Sequence, residues 1–353
     1  MKITNIFHVI KQLILYTLCL SLFTACISTN NNIKIPEESK SQLPNKFLDY
    51  KIASQNISGL FFLSNKDNSD TNSVLEFIDT IIELLGPQNL VTTELFKTFN
   101  NKPTIDCCEI REMGIWLGEN ITNQVISLEL INEEENAILV KKINDYLKNN
   151  LNNIPREKSP IKYKTLSKKN IIYVIQGETE WSQIISDIIE KNELITIENS
   201  VLYDKKLLTY FPKTLNRSPI AIGLNRIDLI NEISLNIINP LEINIFHNSM
   251  FIIYTEHLLT QEQSSKSTSH PISAIGVISI TIPDFLFNLI FKQITPSLNL
   301  SEKTLPTTPN QKIWTGEYPT QNIPVYFAMK NKNKIIKFTV SSKEEKTLEL
   351  ITE

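Results

Sequence analysis

Glycine is scarce in this chain, eight residues in 353. None falls in a G-x-G-x-x-G or P-loop arrangement, so the backbone cradles that hold nucleotide phosphates are excluded. Cysteine is scarcer still. Cys19 and Cys26 lie near the start, leaving only the neighbours Cys107 and Cys108. Adjacent Cα atoms sit ~3.8 Å apart, short of the usual disulfide window, so a bridge between them would be strained. Such a pair serves either as a redox switch or, in the plainer reading, as one buried and one exposed thiol. With no disulfide framework, the fold must depend on its core. No excess of positive charge exists either: 35 basic against 38 acidic residues give a formal charge of -3. Counterion release needs a basic face, so nucleic acid is not an expected partner. The lysine-rich patches (Lys141-Lys142, Lys168-Lys169, Lys330 to Lys337) are interleaved with other residues and read as solvated faces.

Catalytic and metal-binding patterns are missing as well. There is no Gly-x-Ser-x-Gly elbow and no His-Glu-x-x-His. Beyond the first 26 residues only His247, His257 and His270 remain. Glu256 adjoins His257, but neighbours on a strand point to opposite faces, which spoils a shared zinc site. Cys107 or Cys108 could act as a thiol nucleophile with a distant histidine, though nothing local favours that over packing. The carboxylate pairs Glu178/Glu180 and Glu344/Glu345 read as solubility groups. No catalytic residue, no metal ligand and no cofactor is expected, and the chain is not read as an enzyme.

What is present is concentrated at the amino end. Lys2 and Lys11 are followed by an apolar run from Leu13 to Phe23, broken only by Tyr16, Thr17, Cys19 and Ser21. Those eleven residues make ~16 Å of helix, about half a hydrocarbon core, so they do not span a membrane. A positive n-region, a short h-region and small residues at the cut describe a secretory signal peptide. Cys26 stands directly after Thr24-Ala25. The segment Leu22-Phe23-Thr24-Ala25-Cys26 resembles the lipobox of bacterial lipoproteins, with Phe23 where that family usually carries Leu. The resemblance implies a diacylglycerol on the Cys26 thiol, cleavage before it, and a third acyl chain on the freed amino group. Several acyl chains hold a protein on a bilayer where one would be marginal. Ile27, rather than Asp, follows the cysteine, which resembles the outer-membrane address of enteric lipoproteins. The plainer alternative is an ordinary secretory signal that happens to contain a cysteine.

The expected organisation is therefore a signal peptide over 1–25, a lipidated amino terminus and tether over 26–45, and two lobes over 46–195 and 196–353. Ile27 to Asn45 is polar and nearly free of large apolar groups, so it should be a disordered tether reaching ~25 Å on average. The folded part reads as α+β, mostly antiparallel sheets with flanking helices, in two similar tandem lobes. Buried or paired strands are expected at Ile57–Leu63, Gly114–Gly118, Gln124–Ile131, Tyr163–Leu166 and Asn170–Gln176. Helices are expected from the capping box at Ser73, over Glu133–Leu151, and from a Thr179 cap through Ile189. Further strands fall at Pro219–Leu224 (running into Asp228–Ile238), Glu242–Phe246, Met250–Glu256, Ala274–Ile282, Lys312–Thr315, Val325–Lys330 and Lys334–Ser341, with an exposed loop over Gln261–Pro271. The hairpin Tyr163…Asn170 looks like a counterpart of Trp314…Asn322.

One helix stands apart. Pro283 precedes Asp284–Ile294, which is apolar nearly all round. Such a helix is buried on most sides or lines a groove that something apolar fills. Two roles follow: a structural or protein-interaction part in the cell envelope, or binding of a lipid or other hydrophobic ligand through Phe285, Phe287, Leu289, Ile290 and Phe291. A hydrolase is a weaker third reading.

Overall fold

A computed structural model describes residues 43–64, 110–120, 122–151, 162–211, 221–226, 246–255, 272–294, 300–305, 308–318, 325–341 and 343–352. The signal segment, Cys26, the Cys107-Cys108 pair, the Ser73 capping box, the 228–238 stretch, His257 and His270 lie outside the described residues.

The chain divides into two compact units, with the boundary between Tyr203 and Asp204. In the amino-terminal unit a short helix α1 (Asn45–Leu48) leads into β1 (Lys51–Ala53) and β2 (Gly59–Ser64). Strands β3 (Ile110–Leu117) and β4 (Gln124–Leu130) follow, then helix α2 (Asn136–Leu151), entered through a 3-10 turn at Glu133–Glu135. Next come β5 (Lys162–Lys168), β6 (Ile171–Gly177), helix α3 (Thr179–Lys191) and β7 (Leu194–Thr196). The main strands pair antiparallel in the order β2-β3-β4-β6-β5, and β1 with β7 forms a small antiparallel ribbon. β2 is buried along its whole length, and every residue of β4 but Glu129 is buried. Helices α2 and α3 both pack on β5 and β6. Thr165 donates to Asn144 of α2, whereas its neighbour Lys164 donates to Glu190 of α3. Successive strand residues face opposite ways, so the two helices cover opposite faces of the sheet.

The helix over 179–191 begins differently from its sequence reading. Glu178, not Thr179, holds the N-cap position, and no side chain caps the helix. The Glu178 N–H is instead taken by Asn123 Oδ1 at 3.0 Å, which fixes the entry angle one residue early. The far end is a Schellman motif: Asn192 is left-handed (φ 63°), Glu193 N–H reaches Ile188 O and Asn192 N–H reaches Ile189 O.

The carboxy-terminal unit opens with a four-residue helix α4 (Lys205–Leu208), capped by Asp204. It continues through β8 (Ala221–Asn225), β9 (Phe246–Thr255), β10 (Ile272–Ile280) and helix α5 (Asp284–Ile294). Strands β11 (Ser301–Leu305), β12 (Thr308–Tyr318), β13 (Val325–Lys332) and β14 (Ile335–Ser341) precede helix α6 (Glu344–Thr352). The order is β8-β9-β10-β14-β13-β12-β11, antiparallel throughout. Helix α6 packs on β13 and β14, and α5 on β13. Ile351 of α6 clusters with Ile313, whereas the next residue, Trp314, meets Phe291 of α5. Here too the two helices lie on opposite faces.

Antiparallel sheet dominates both units and helices are few, a more strand-rich balance than an even α+β reading implies. Two local expectations are corrected. Residues 246–255 form one continuous strand, because Ser249 is paired on one side with Asn225 and on the other with Ile278; two ladders of hydrogen bonds override the turn preference of Asn248-Ser249. Glu344 and Glu345 occupy the first turn of α6, where carboxylates suit the helix dipole.

Candidate functional site

Helix α5 and the sheet face beneath it bring the sequence-selected apolar residues next to buried polar atoms. The helix is anchored at its start. Asp284 Oδ1 accepts the Lys334 N–H at 2.6 Å, in the two-residue turn joining β13 to β14. Asn333 and Lys334 both have positive φ (55° and 61°), the signature of a type I′ hairpin. Lysine is not an easy occupant of that conformation, and the Asp284 carboxylate helps to hold it there.

Along the helix the side chains diverge. Phe287 is buried and stacks on Phe291, ring centroids 5.5 Å apart. Phe291 in turn meets Trp314 edge-on at 5.0 Å. Phe285, one of the five proposed ligand contacts, is 74% exposed on the first turn. Leu289 and Ile290 belong to the same helix. Asn288, the residue after Phe287, accepts from Asn331 Nδ2 at 3.3 Å. At the rim Lys292 pairs with Glu302 at 3.8 Å.

The floor follows from register. Trp314 is opposite Met329, Met329 opposite Phe338, Phe338 opposite Gly276, and Gly276 opposite Phe251, which faces Gly223. Opposed residues share a face, so these form one row across the sheet. Gly276 and Gly223 are the low points of that row: a Cβ at either would collide with the ring of Phe338 or Phe251. Two polar islands sit on the same face. One is Trp314 Nε1 with Asn331 Oδ1, two residues beyond Met329; the other is the facing pair Asn225 and Ser249. The side-chain polar atoms of Asn225, Ser249 Oγ, Trp314 Nε1 and Asn331 Oδ1 are buried without a hydrogen-bond partner. Each such atom costs about 1–3 kcal/mol if left that way.

The opposite face of the same unit carries a cleft of about 220 Å³ between α6 and β11–β13, lined in part by Lys303, Glu317, Tyr326, Glu344 and Thr347. Lys303 and Glu344 bridge it at 2.9 Å. In the amino-terminal unit the buried Trp116 indole is satisfied from within the chain, while Asn136 Oδ1 and Ser182 Oγ are buried without a hydrogen-bond partner. Tyr50 Oη meets Ser127 Oγ and accepts from Trp116 Nε1 at 3.0 Å. Burial pushes the Tyr50 hydroxyl pKa up, partly offset by these hydrogen bonds. Tyr173 is pushed up to about 12 by burial and by Glu129.

Among the described residues no group of three His, Cys, Asp or Glu could hold a metal ion; His247 is half-buried on β9. No described helix is long and apolar enough to cross a membrane. The sequence selected Phe285, Phe287 and Phe291 by their apolar run, but gave no sign of Trp314, Asn331 or Asn288 as their neighbours. The one available hint was a tryptophan in an alternating strand, Lys312-Ile-Trp-Thr315, which predicts burial and nothing about its N–H.

No family model and no curated protein matches this sequence. Among solved structures, "Structure of crystal form I of TP0453" aligns over 89% of this chain and 100% of that one, with 8% identity and a TM-score of 0.36. That likeness is too distant to carry a fold or a role across.

Proposed function

We propose that this chain is a lipid-anchored protein of the bacterial cell envelope, held in the outer membrane by acyl chains on Cys26, and that its folded body binds a hydrophobic ligand between α5 and the sheet of the carboxy-terminal unit. It is not an enzyme in this reading. The observation that carries the binding role is Trp314: an enclosed indole, 2% exposed, whose N–H has no acceptor while Phe291, itself stacked on Phe287, packs against it. Buried tryptophans ordinarily find a partner for that group.

A second reading has its own support. Phe285 projects from the first turn of α5 with 74% of its surface in solvent, and exposed aromatic groups anchor protein partners. In that case the unit serves as a docking body for another envelope protein. Two substitutions separate the readings. Phe291→Ala should abolish retention of a radiolabelled acyl ligand and leave partner capture intact; Phe285→Ser should do the reverse. Loss of neither sinks both. The anchor is tested by metabolic acyl labelling with surface proteolysis of intact cells, in which Cys26→Ser should abolish incorporation of label.

We also propose that the two units descend from one duplicated unit. Support comes from order: in each, three antiparallel strands lead to a helix, and a later hairpin adds its second strand beside the third. One hydrogen bond recurs. Leu130 N–H reaches Asn170 O at 2.8 Å, and Ile280 N–H reaches Lys334 O at 2.7 Å. Each joins the end of the third strand to the second residue of the hairpin turn. On this alignment β13–β14, rather than the Trp314…Asn322 hairpin, is the counterpart of β5–β6, and β11–β12 is an added hairpin.

A further inference from the structure

The polar atoms under α5 specify more than an apolar guest. Trp314 Nε1–H is a donor only, and Asn331 Oδ1 an acceptor only. Both are buried and unpartnered. They lie diagonally on the neighbouring strands β12 and β13, since Trp314 faces Met329 and Asn331 follows two residues later on the same side. Asn331 is held from the other direction, its Nδ2 donating to Asn288 on α5, so its carbonyl is aimed by the helix that covers it. A guest satisfying both needs one group that accepts and donates at the same point.

Charge narrows the choice. Among the described side chains Lys292 and Glu302 form an ion pair at the rim. Glu302 is directly opposite Trp314 in the ladder and already paired with Lys292; a carboxylate guest, which only accepts, would leave Asn331 Oδ1 unsatisfied. An ammonium guest, which only donates, would leave the Trp314 N–H without an acceptor. A neutral group avoids both penalties, and burying an unpaired ion is far more costly than burying a hydroxyl.

We infer that the ligand of the α5 site is a neutral amphiphile: a hydrocarbon chain against Phe287 and Phe291, carrying a hydroxyl or carboxamide whose oxygen accepts from Trp314 Nε1–H and whose O–H or N–H donates to Asn331 Oδ1. The inference rests on the ligand-binding reading above. Monoacylglycerols are the natural representatives of the class; free fatty acids and alkylammonium ions fall outside it.

The test uses the full chain in amphipol with ¹⁵N-labelled tryptophan, titrated separately with 1-monolauroylglycerol, laurate and dodecyltrimethylammonium. Trp314→Phe identifies the Trp314 indole signal among the three. The expected result is a large shift of that signal with 1-monolauroylglycerol, none at Trp116, and binding at least about tenfold weaker for the two charged probes. Asn331→Leu should weaken 1-monolauroylglycerol about 5- to 10-fold, the loss of one buried hydrogen bond, and leave laurate unchanged. Equal binding of all three probes with a shift at Trp314 would overturn the neutral-head assignment while the hydrophobic site survives. No shift at Trp314 with any probe would overturn the site itself.

Discussion

Each unit buries a tryptophan on an inner strand of its antiparallel sheet, and the two indoles are treated in opposite ways. Trp116, wholly enclosed, donates to Tyr50 Oη, which also meets Ser127. Gly114 makes this possible, because a side chain there would occupy the space of the Tyr50 hydroxyl and lie 2.7 Å from Ser127 Oγ. Trp314 is nearly as enclosed, yet the side chain that meets it from α5 is the phenyl ring of Phe291, in a T-shaped contact. A hydroxyl brought in from the segment before β1 completes the first site from within the chain. The second has an apolar helix at that place, which supplies area but no acceptor. The Trp116 indole is satisfied by folding; the proposed ligand would do the same for Trp314.

Filling the closed site should have the largest effect. Gly114→Val forces Tyr50 out of its slot and should destabilise the amino-terminal unit by about 3 kcal/mol, the upper range for overpacking. Denaturant unfolding followed by near-ultraviolet circular dichroism would read it. Tyr50→Phe should cost about 2 kcal/mol, since it strands the Trp116 N–H in a dry interior. Trp314→Phe, measured the same way, should stay within about 1 kcal/mol of the parent, because it removes an orphan donor along with some packing. Equal losses for these two variants would erase the contrast.

Alkali should distinguish the units as well. Tyr50 and Tyr173, both of the first unit, have hydroxyls raised above the ordinary value of 10.0. Both are protonated in either state below pH 10. Between pH 10 and 12 the unfolded chain loses protons that the folded one keeps, so stability falls as pH rises through that window. Residue-resolved exchange across pH 9 to 12 should show the β3–β4 region opening before the strands around Trp314. The smallest effect belongs to Lys334→Gly, which suits the positive φ of the turn and should stabilise the carboxy-terminal unit by about 0.5–1 kcal/mol. A loss there would mean that the Lys334 side chain contributes more than its backbone costs.

Much of the scaffold was legible from local signals. β2 is an apolar run, α3 carries its stripe of Trp181, Ile185, Ile188 and Ile189, and Pro283 marks the start of α5. Helix α6 was not anticipated, because Glu344–Thr352 buries only Thr347, Leu350 and Ile351, too thin a stripe to stand out beside four charged residues. β11 (Ser301–Leu305) has no alternation and is held by its ladder with β12. The site was half legible. Apolar composition marks α5, but the pairing of an indole depends on which side chain arrives across the fold. Tyr50 reaches Trp116 over a separation of 66 residues, and no window of sequence shows that one such partner comes and another does not.

The central claim, a Trp116 indole satisfied within the chain and a Trp314 indole satisfied by a ligand, is tested most directly by hydrogen–deuterium exchange of the full chain with and without saturating 1-monolauroylglycerol. Protection should rise by at least an order of magnitude over 284–294, 308–318 and 325–332, with no change over 110–120 and 122–130. Equal protection of both regions, or none in either, would contradict it.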